Sequence, residues 1–373
     1  MNLVMTRGLE GIVATTSAIS SIKDDVLMYR GYSIQDLAEL STFEEVVYML
    51  WNGELPTAEQ LSQFKLALAE NAAVPDDLFT IMKMYPFDHV HPMAVLRTAV
   101  SNLAMYDPDA ELMDQQSNKN KALRIQAKIA TLVAGFSRIR KGLDPIAPNK
   151  SLGFAANFLY MLKDQVPSET EAKMFDKALI LHADHELNAS TFTARVCVAT
   201  LSDMYSGITS AIGALKGPLH GGANEQVMHM LEKIGSIEWV NDYISNALQN
   251  KKKIMGFGHR VYKNGDPRAK ILKTMAKKVS DLKGDSRLYD MSVKIENLIK
   301  EKKGLLPNTD FYSATLYHDL GIDHDLFTPV FAISRTSGWA AHIMEQYNDN
   351  RLIRPRAEYN GEHLRKVVPI DQR

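Results

Sequence analysis

Three times along this chain a hydroxyl residue is followed three positions later by Glu or Gln, and then by apolar residues at helical spacing. Thr42 and Glu45 precede Val46, Val47 and Leu50; Thr57 and Gln60 precede Leu61, Phe64 and Leu68; Ser168 and Glu171 precede Phe175, Leu179 and His182. In such a capping box each side chain satisfies a backbone N–H that the first helical turn leaves free, so each pair predicts a helix start. Asp266-Pro267 is another start signal, an N-cap with proline at the first helical position, and it leads into Ile271, Met275, Val279 and Leu282. Two more stripes, Val227, Met230, Leu231 and Ile234 before Gly235, then Ile237, Val240, Ile244 and Leu248, repeat the 3.6-residue period. Gly and Pro number 21 and 14 in 373 residues, below their usual combined share of roughly 12%. A mainly α fold is therefore expected over a loop-heavy sandwich. One segment stays ambiguous: Thr191 to Val198 alternates as a strand might, while the Ala, Leu and Met that follow suit a buried helix.

Two loops punctuate the pattern, the Gly-rich turn from Lys216 to Gly222 and the stretch from Gly304 to Asn308. Between them lie roughly 90 residues with four short helix patterns, which suggests a small helical domain inserted in a larger one. The expected division is 218–316 for the small domain, with 1–217 plus 317–373 forming the large one. Hydrophobic residues make up 45% of the chain, enough for a sizeable core. Lys plus Arg total 43 against 44 Asp plus Glu, so no global field draws the protein to nucleic acid or to an anionic membrane. The single cysteine, Cys197, excludes a disulfide framework or a multi-cysteine metal site and fits a reducing compartment. No charged start leads into an apolar stretch, and no apolar run reaches the length of a membrane span; a cytoplasmic protein is expected.

The histidines point to chemistry. His182-Ala183-Asp184-His185 reads as two imidazoles three apart on one helical face, with acids beside them. His220 sits in a Gly-rich turn feeding a helix, and His259 follows Gly256-Phe257-Gly258, where small residues let a ligand approach the backbone. A glycine-flanked histidine beside free amides suits the binding of an anion or oxyanion. His229, His89, His318, His324, His342 and His363 read as ordinary core or surface residues. Two functional classes remain open on these residues alone. The His182/His185 pair with Asp184 could hold a metal for hydrolysis, although the His-Glu-x-x-His spacing is missing. Alternatively, the turns could perform acid–base chemistry on an anionic ligand, because Lys251, Lys252, Lys253, Arg260, Lys263 and Arg268 concentrate positive charge around His259.

Three segments taken together resemble the active-site segments of citrate synthase: Gly217-Pro218-Leu219-His220-Gly221-Gly222-Ala223-Asn224-Glu225, the run from Gly256 to Arg268, and Asn308-Thr309-Asp310-Phe311-Tyr312-Ser313. Tyr29-Arg30-Gly31-Tyr32 and Phe43-Glu44-Glu45-Val46 resemble the N-terminal part of the same family, so the likeness spans nearly the whole chain. The resemblance implies a large helical domain and a smaller inserted one, with the active site in the cleft between them. It implies condensation of acetyl-CoA with oxaloacetate and hydrolysis of citryl-CoA, with no tightly bound cofactor and no metal. Asp310 would remove the methyl proton, His220 would stabilise the enol, and His259 would act on the oxaloacetate carbonyl. His185, Arg268, Arg335 and Arg354 would bind oxaloacetate, with Arg354 reaching across a homodimer. Ile254, Gly256, Phe257, Gly258 and Lys263 would contact CoA.

That resemblance displaces the metal reading of His182 and His185. The sequence starts directly at the Thr6-Arg7-Gly8-Leu9 segment, and the extra region of hexameric, NADH-inhibited forms is not expected. A related activity, 2-methylcitrate synthase with propionyl-CoA, stays open, since one methylene in an acyl pocket is worth only about 1–3 kcal/mol. A silent CoA- or dicarboxylate-binding protein is the remaining alternative.

Overall fold

The computed structural model describes residues 6–9, 11–259, 262 and 264–373. A small antiparallel sheet comes first: β1 (Ser20–Lys23), β2 (Val26–Tyr29) and β3 (Tyr32–Ser33), with Ser20 opposite Tyr29 and Met28 opposite Ser33. Helices α1 (Ile34–Leu40), α2 (Phe43–Asn52), α3 (Ala58–Asn71), α4 (Asp76–Lys83) and α5 (Pro92–Leu103) follow. Next come α6 (Gln115–Ile139), α7 (Phe154–Lys163), α8 (Glu169–His182), α9 (Ala189–Val198) and α10 (Met204–Leu215). The chain continues through α11 (Ala223–Ile234), α12 (Val240–Gln249), α13 (Pro267–Lys283), α14 (Arg287–Lys303), α15 (Thr309–Asp319) and α16 (Phe327–Asn348). The mainly α class read from the sequence is the class of the fold. Among the described residues no helix is long and apolar enough to cross a membrane.

All three capping boxes form, at Thr42, Thr57 and Ser168, and the Asp266 side chain accepts from Arg268 N to open α13. The ambiguous segment is helical. Asn188 caps α9 by accepting from Ser190 N and Thr191 N at 3.1 Å each, and this Asx cap settles what the alternation of Thr191 to Val198 left undecided. The sheet at residues 20–33 carries no sequence signal beyond short apolar runs. A further correction concerns His182 and His185: α8 ends at His182, so the two rings do not share a helical face.

Helix α16 organises the interior. It is buried along almost its entire length and packs against α2, α6, α8, α9 and α10, which explains its apolar and small residues on every side. Its closest approach is to the loop after α8: a Cβ on Gly338 would stand 2.4 Å from Ala183 O and 2.4 Å from Asp184 Oδ1. Trp51 Nε1 donates to Ser337 O at 2.9 Å and Gln126 Nε2 to Ile333 O at 3.0 Å, which fixes the axial position of the helix. Helices α11, α13 and α14 pack on α15, and α13 also touches α1 and α8. Position 316, the expected end of the small domain, lies inside α15.

Replacing Gly338 with Ala is expected to destabilise the protein by about 1–3 kcal/mol, the usual cost of overpacking a closed contact. Denaturant unfolding measures this, and a variant as stable as wild type would contradict the close approach.

Candidate active site

Two of the motifs singled out in the sequence are pinned to each other by backbone hydrogen bonds. Gly258 N donates to Leu306 O at 3.0 Å, Asn308 N to Gly256 O at 2.9 Å and Asn308 Nδ2 to Gly258 O at 3.1 Å. Gly256 has φ +83°, and a Cβ there would sit 2.9 Å from both Phe311 and Val227, so only glycine lets the turn lie this close. Asn308 Oδ1 also caps α15 through Asp310 N at 3.0 Å. One asparagine therefore fixes the position of Asp310 relative to His259.

Asp310 lies in the first turn of α15, half-buried. A helix N-terminus favours a carboxylate by typically 0.3–1 kcal/mol, but burial is the larger effect here. Burial pushes the carboxyl up to about 7; Arg268 and Arg335 oppose the shift, while Asp266 adds to it.

Histidines 185 and 259 face each other with ring centroids 5.3 Å apart, and Tyr262 touches both, at 5.7 Å and 4.5 Å. Tyr262 Oη lies 3.1 Å from His185 Nε2. Tyr262 N–H points at His259 Nδ1 from 3.3 Å, and because an amide can only donate, the ring proton of neutral His259 belongs on Nε2. Burial lowers the pKa of both rings; Arg268, Arg335 and His259 reinforce this at His185, whereas Asp266 opposes it at His259.

His220 belongs to the turn before α11. Ser190 N–H points at its Nε2 from 3.3 Å, which makes Nε2 an acceptor and places the proton on Nδ1. Ser190 Oγ, 2.8 Å from the same nitrogen, directs its one proton there and accepts from Trp339 Nε1 at 3.1 Å, while Asn188 Oδ1 is occupied by the N–H groups of Ser190 and Thr191. Burial, aided by Arg335, brings His220 down to about 4, so the ring is a neutral donor at physiological pH.

Two buried arginines supply the positive field. Arg268 Nε and Nη2 grip both oxygens of Asp266 at 2.9 and 2.8 Å. Burial works against the charge of Arg268, but Asp266 outweighs it and holds the guanidinium above its ordinary range. Arg335 Nε donates to His182 O at 2.7 Å, and the guanidinium stacks 4.7 Å from the Phe331 centroid. Its Nη1 and Nη2 have no hydrogen-bond partner among the described residues. Burial lowers Arg335 to about 10, so it stays charged at neutral pH. A planar donor pair of this kind suits a carboxylate.

The remaining sequence candidates divide. Ile254, Gly256, Phe257 and Gly258 form the turn described above, with Phe257 bridged to Pro307. Lys251, Lys252 and Lys253 are exposed beside it. Lys263 and Arg260 lie outside the described residues. Arg354 is exposed on the segment after α16 and, among the described residues, makes no hydrogen bond or ion pair to the other candidates. His182 is a core residue: Nδ1 donates to Ala178 O at 2.7 Å, the ring packs 5.0 Å from Phe331, and burial lowers it to about 3. Among the described residues no three His, Cys, Asp or Glu are grouped to hold a metal ion. Ser190, Asn188, Trp339, Tyr262 and Asp266 were not found as site residues from sequence. The Asn188-Ala189-Ser190-Thr191 cap was the available signal, because it places Ser190 at a helix start.

A half-buried carboxyl poised near neutrality, neutral imidazoles with assigned donors, and buried arginines form a cluster whose chemistry suits proton transfer beside an anion. A family model described as citrate synthase, C-terminal domain, matches residues 8–356. Citrate synthase 2 of Bacillus subtilis is 60% identical over 371 residues, spanning 100% of both chains. The 2-methylcitrate synthase of Mycobacterium tuberculosis is 44% identical over 365 residues, 97% of this chain and 92% of that one. A solved ternary complex of carboxymethyl coenzyme A and oxaloacetate with the citrate synthase of Thermoplasma acidophilum aligns with a TM-score of 0.92 at 35% identity, covering 98% of each chain. The chain belongs to the citrate synthase family and is an enzyme of the acyl-transferring type.

The raised pKa of Asp310 gives a stability prediction with a definite sign. The folded state holds this proton more tightly than the unfolded chain, so the group's favourable contribution is complete below about pH 4 and is lost as pH rises to about 7. Between pH 5 and 7 the unfolding free energy of Asp310→Asn should therefore gain about 1–2 kcal/mol on wild type and level off above pH 7. Parallel denaturation curves across this range would contradict the shift.

Proposed function

We propose that the chain condenses acetyl-CoA with oxaloacetate and hydrolyses the resulting citryl-CoA to citrate and CoA, the entry step of the tricarboxylic acid cycle. The observation that carries this reading is Asp310, a carboxyl brought to about 7 by burial and set with His220, a neutral ring, in the field of Arg335. Asp310 takes a proton from the acetyl methyl group while His220 Nδ1–H donates to the thioester oxygen, so the electron pair released settles as an enol rather than a free enolate. The enol carbon attacks the oxaloacetate ketone, and His259 Nε2–H donates to the ketone oxygen as the carbon–carbon bond forms. Water then adds to the thioester carbonyl, the carbon–sulfur bond breaks, and CoA leaves as the thiol.

Arg268 and Arg335, with His185, hold the oxaloacetate dianion. Because Asp266 already grips Arg268, that arginine is oriented before substrate arrives, which avoids the cost of ordering it on binding. The segment from Ile254 to Gly258, with Lys263, forms the CoA contact. Residues 218–316 act as a small domain that closes on the large one and excludes water from the enol. The enzyme works in the cytoplasm as a homodimer, in which Arg354 completes the partner's oxaloacetate site; its exposure in the single chain fits that use.

Release of free CoA thiol tests the reading. With oxaloacetate present, acetyl-CoA should support faster release than propionyl-CoA, and a chelator should not change the rate. Faster release with propionyl-CoA would move the assignment to 2-methylcitrate synthase, and no release with either would overturn the reading. Asp310→Ala should lower kcat by about 10²–10⁴ while the protein stays folded. In the wild-type enzyme kcat/KM should fall on the acid side with an apparent pKa near 7, because only ionised Asp310 can accept the proton.

A further inference from the structure

His185 and His259 both serve oxaloacetate in the proposed reaction, and Tyr262 touches each of them without taking part in it. Tyr262 is 5% exposed. Its ring packs against His259, with centroids 4.5 Å apart and planes tilted by 44°, and its Oη lies 3.1 Å from His185 Nε2. His185 belongs to the loop between α8 and α9, so no helix sets the direction of its ring. Among the described residues the Tyr262 hydroxyl is the one side chain that hydrogen-bonds this ring.

The donor in that bond can be assigned. Burial holds the phenol above its ordinary range although Arg268 opposes the shift, so Oη keeps its proton. Burial, with Arg268 and Arg335, keeps His185 neutral, which leaves the ring one donor and one acceptor nitrogen. The single proton of Oη has no acceptor but His185 Nε2 among the described residues. Tyr262 therefore donates, Nε2 accepts, and the ring proton of His185 belongs on Nδ1. The hydroxyl is itself held in place. The backbone N–H of Tyr262 points at His259 Nδ1 from 3.3 Å, and Asn264 Nδ2 donates to Asp25 Oδ2 at 2.6 Å in the turn between β1 and β2. A tyrosine side chain has only two torsions, so a backbone pinned on both sides leaves its hydroxyl little freedom.

We propose that Tyr262 is a positioning residue for substrate binding: its hydroxyl fixes His185 while its amide fixes His259, so that one residue sets the two imidazoles relative to each other before oxaloacetate arrives. Orienting a ring in advance removes an ordering cost that binding would otherwise carry. The inference rests on the assignment of His185 to oxaloacetate.

Tyr262→Phe removes the hydroxyl and keeps both the ring on His259 and the amide. Steady-state CoA-thiol release should show KM for oxaloacetate raised about tenfold. At saturating oxaloacetate, kcat and KM for acetyl-CoA should stay within about twofold of wild type. Nitrogen-15 NMR of the substrate-free proteins, with the His185 signal assigned by its loss in His185→Gln, should show one Nδ1-protonated ring in wild type and a mixture of tautomers in Tyr262→Phe. An unchanged KM for oxaloacetate would overturn the proposal, as would identical His185 signals in the two proteins or a loss spread evenly over kcat and both KM values. Wild-type protein that releases no CoA thiol would overturn the proposed activity instead, and the His185 signals, which need no substrate, would still decide whether the hydroxyl sets the ring.

Discussion

One buried carboxylate, Asp184, ties together the elements on which the site is built. It accepts from Ser20 Oγ in β1 and from His342 Nε2 in α16 at 3.2 Å, while its backbone carbonyl receives Tyr29 Oη of β2 at 2.8 Å. Arg195 Nε donates to His342 Nδ1 at 3.1 Å, and Arg195 also binds Glu345 and Gln346, so the network continues from α9 along α16. A charge removed from water at this depth must be matched by donors or it neutralises. Burial raises Asp184, but His342, Arg335 and Ser20 outweigh it and keep the carboxylate ionised. The loop after α8 is therefore held from several sides. The end of α8 supplies His182 O, which orients Arg335, and the loop leads to His185 and the Asn188 cap that positions Ser190 against His220.

Electrostatic balance at the proposed site follows from this scaffold. Arg335 and Arg268 both bear on Asp310 and His185, and Arg335 also bears on His220. Two cations near a carboxyl would ordinarily depress it by one to three units. Because Asp266 cancels much of the charge on Arg268 and burial works on Asp310 directly, the carboxyl rises instead. Both arginines act with burial, not against it, at His185, and Arg335 does so at His220, which keeps both rings uncharged. A carboxyl near neutrality and uncharged imidazoles thus share one arrangement of charges.

Much of this was legible in the sequence where a local rule acts alone. Capping boxes at Thr42, Thr57 and Ser168 depend on residues three apart, and they form as read. Gly256 and Gly258 mark a turn needing positive φ, which a single residue type reveals. What stayed hidden depends on distant partners. The strands at residues 20–33 are stabilised by Asp184 and Glu186, far along the chain, so no local pattern announced them. His182 and His185 looked like a helical pair because periodicity does not show where a helix ends. Ser190 could not be identified as the support for His220, thirty positions away, until the fold joined them.

The central claim is that His220 is a neutral donor carrying its proton on Nδ1. Nitrogen-15 NMR of the histidine rings in the intact enzyme tests it most directly. The account predicts one neutral, Nδ1-protonated signal for His220 from pH 6 to pH 8, with protonation setting in only near its lowered pKa of about 4. An imidazolium signal at pH 6.5, or a neutral ring protonated on Nε2, would contradict it.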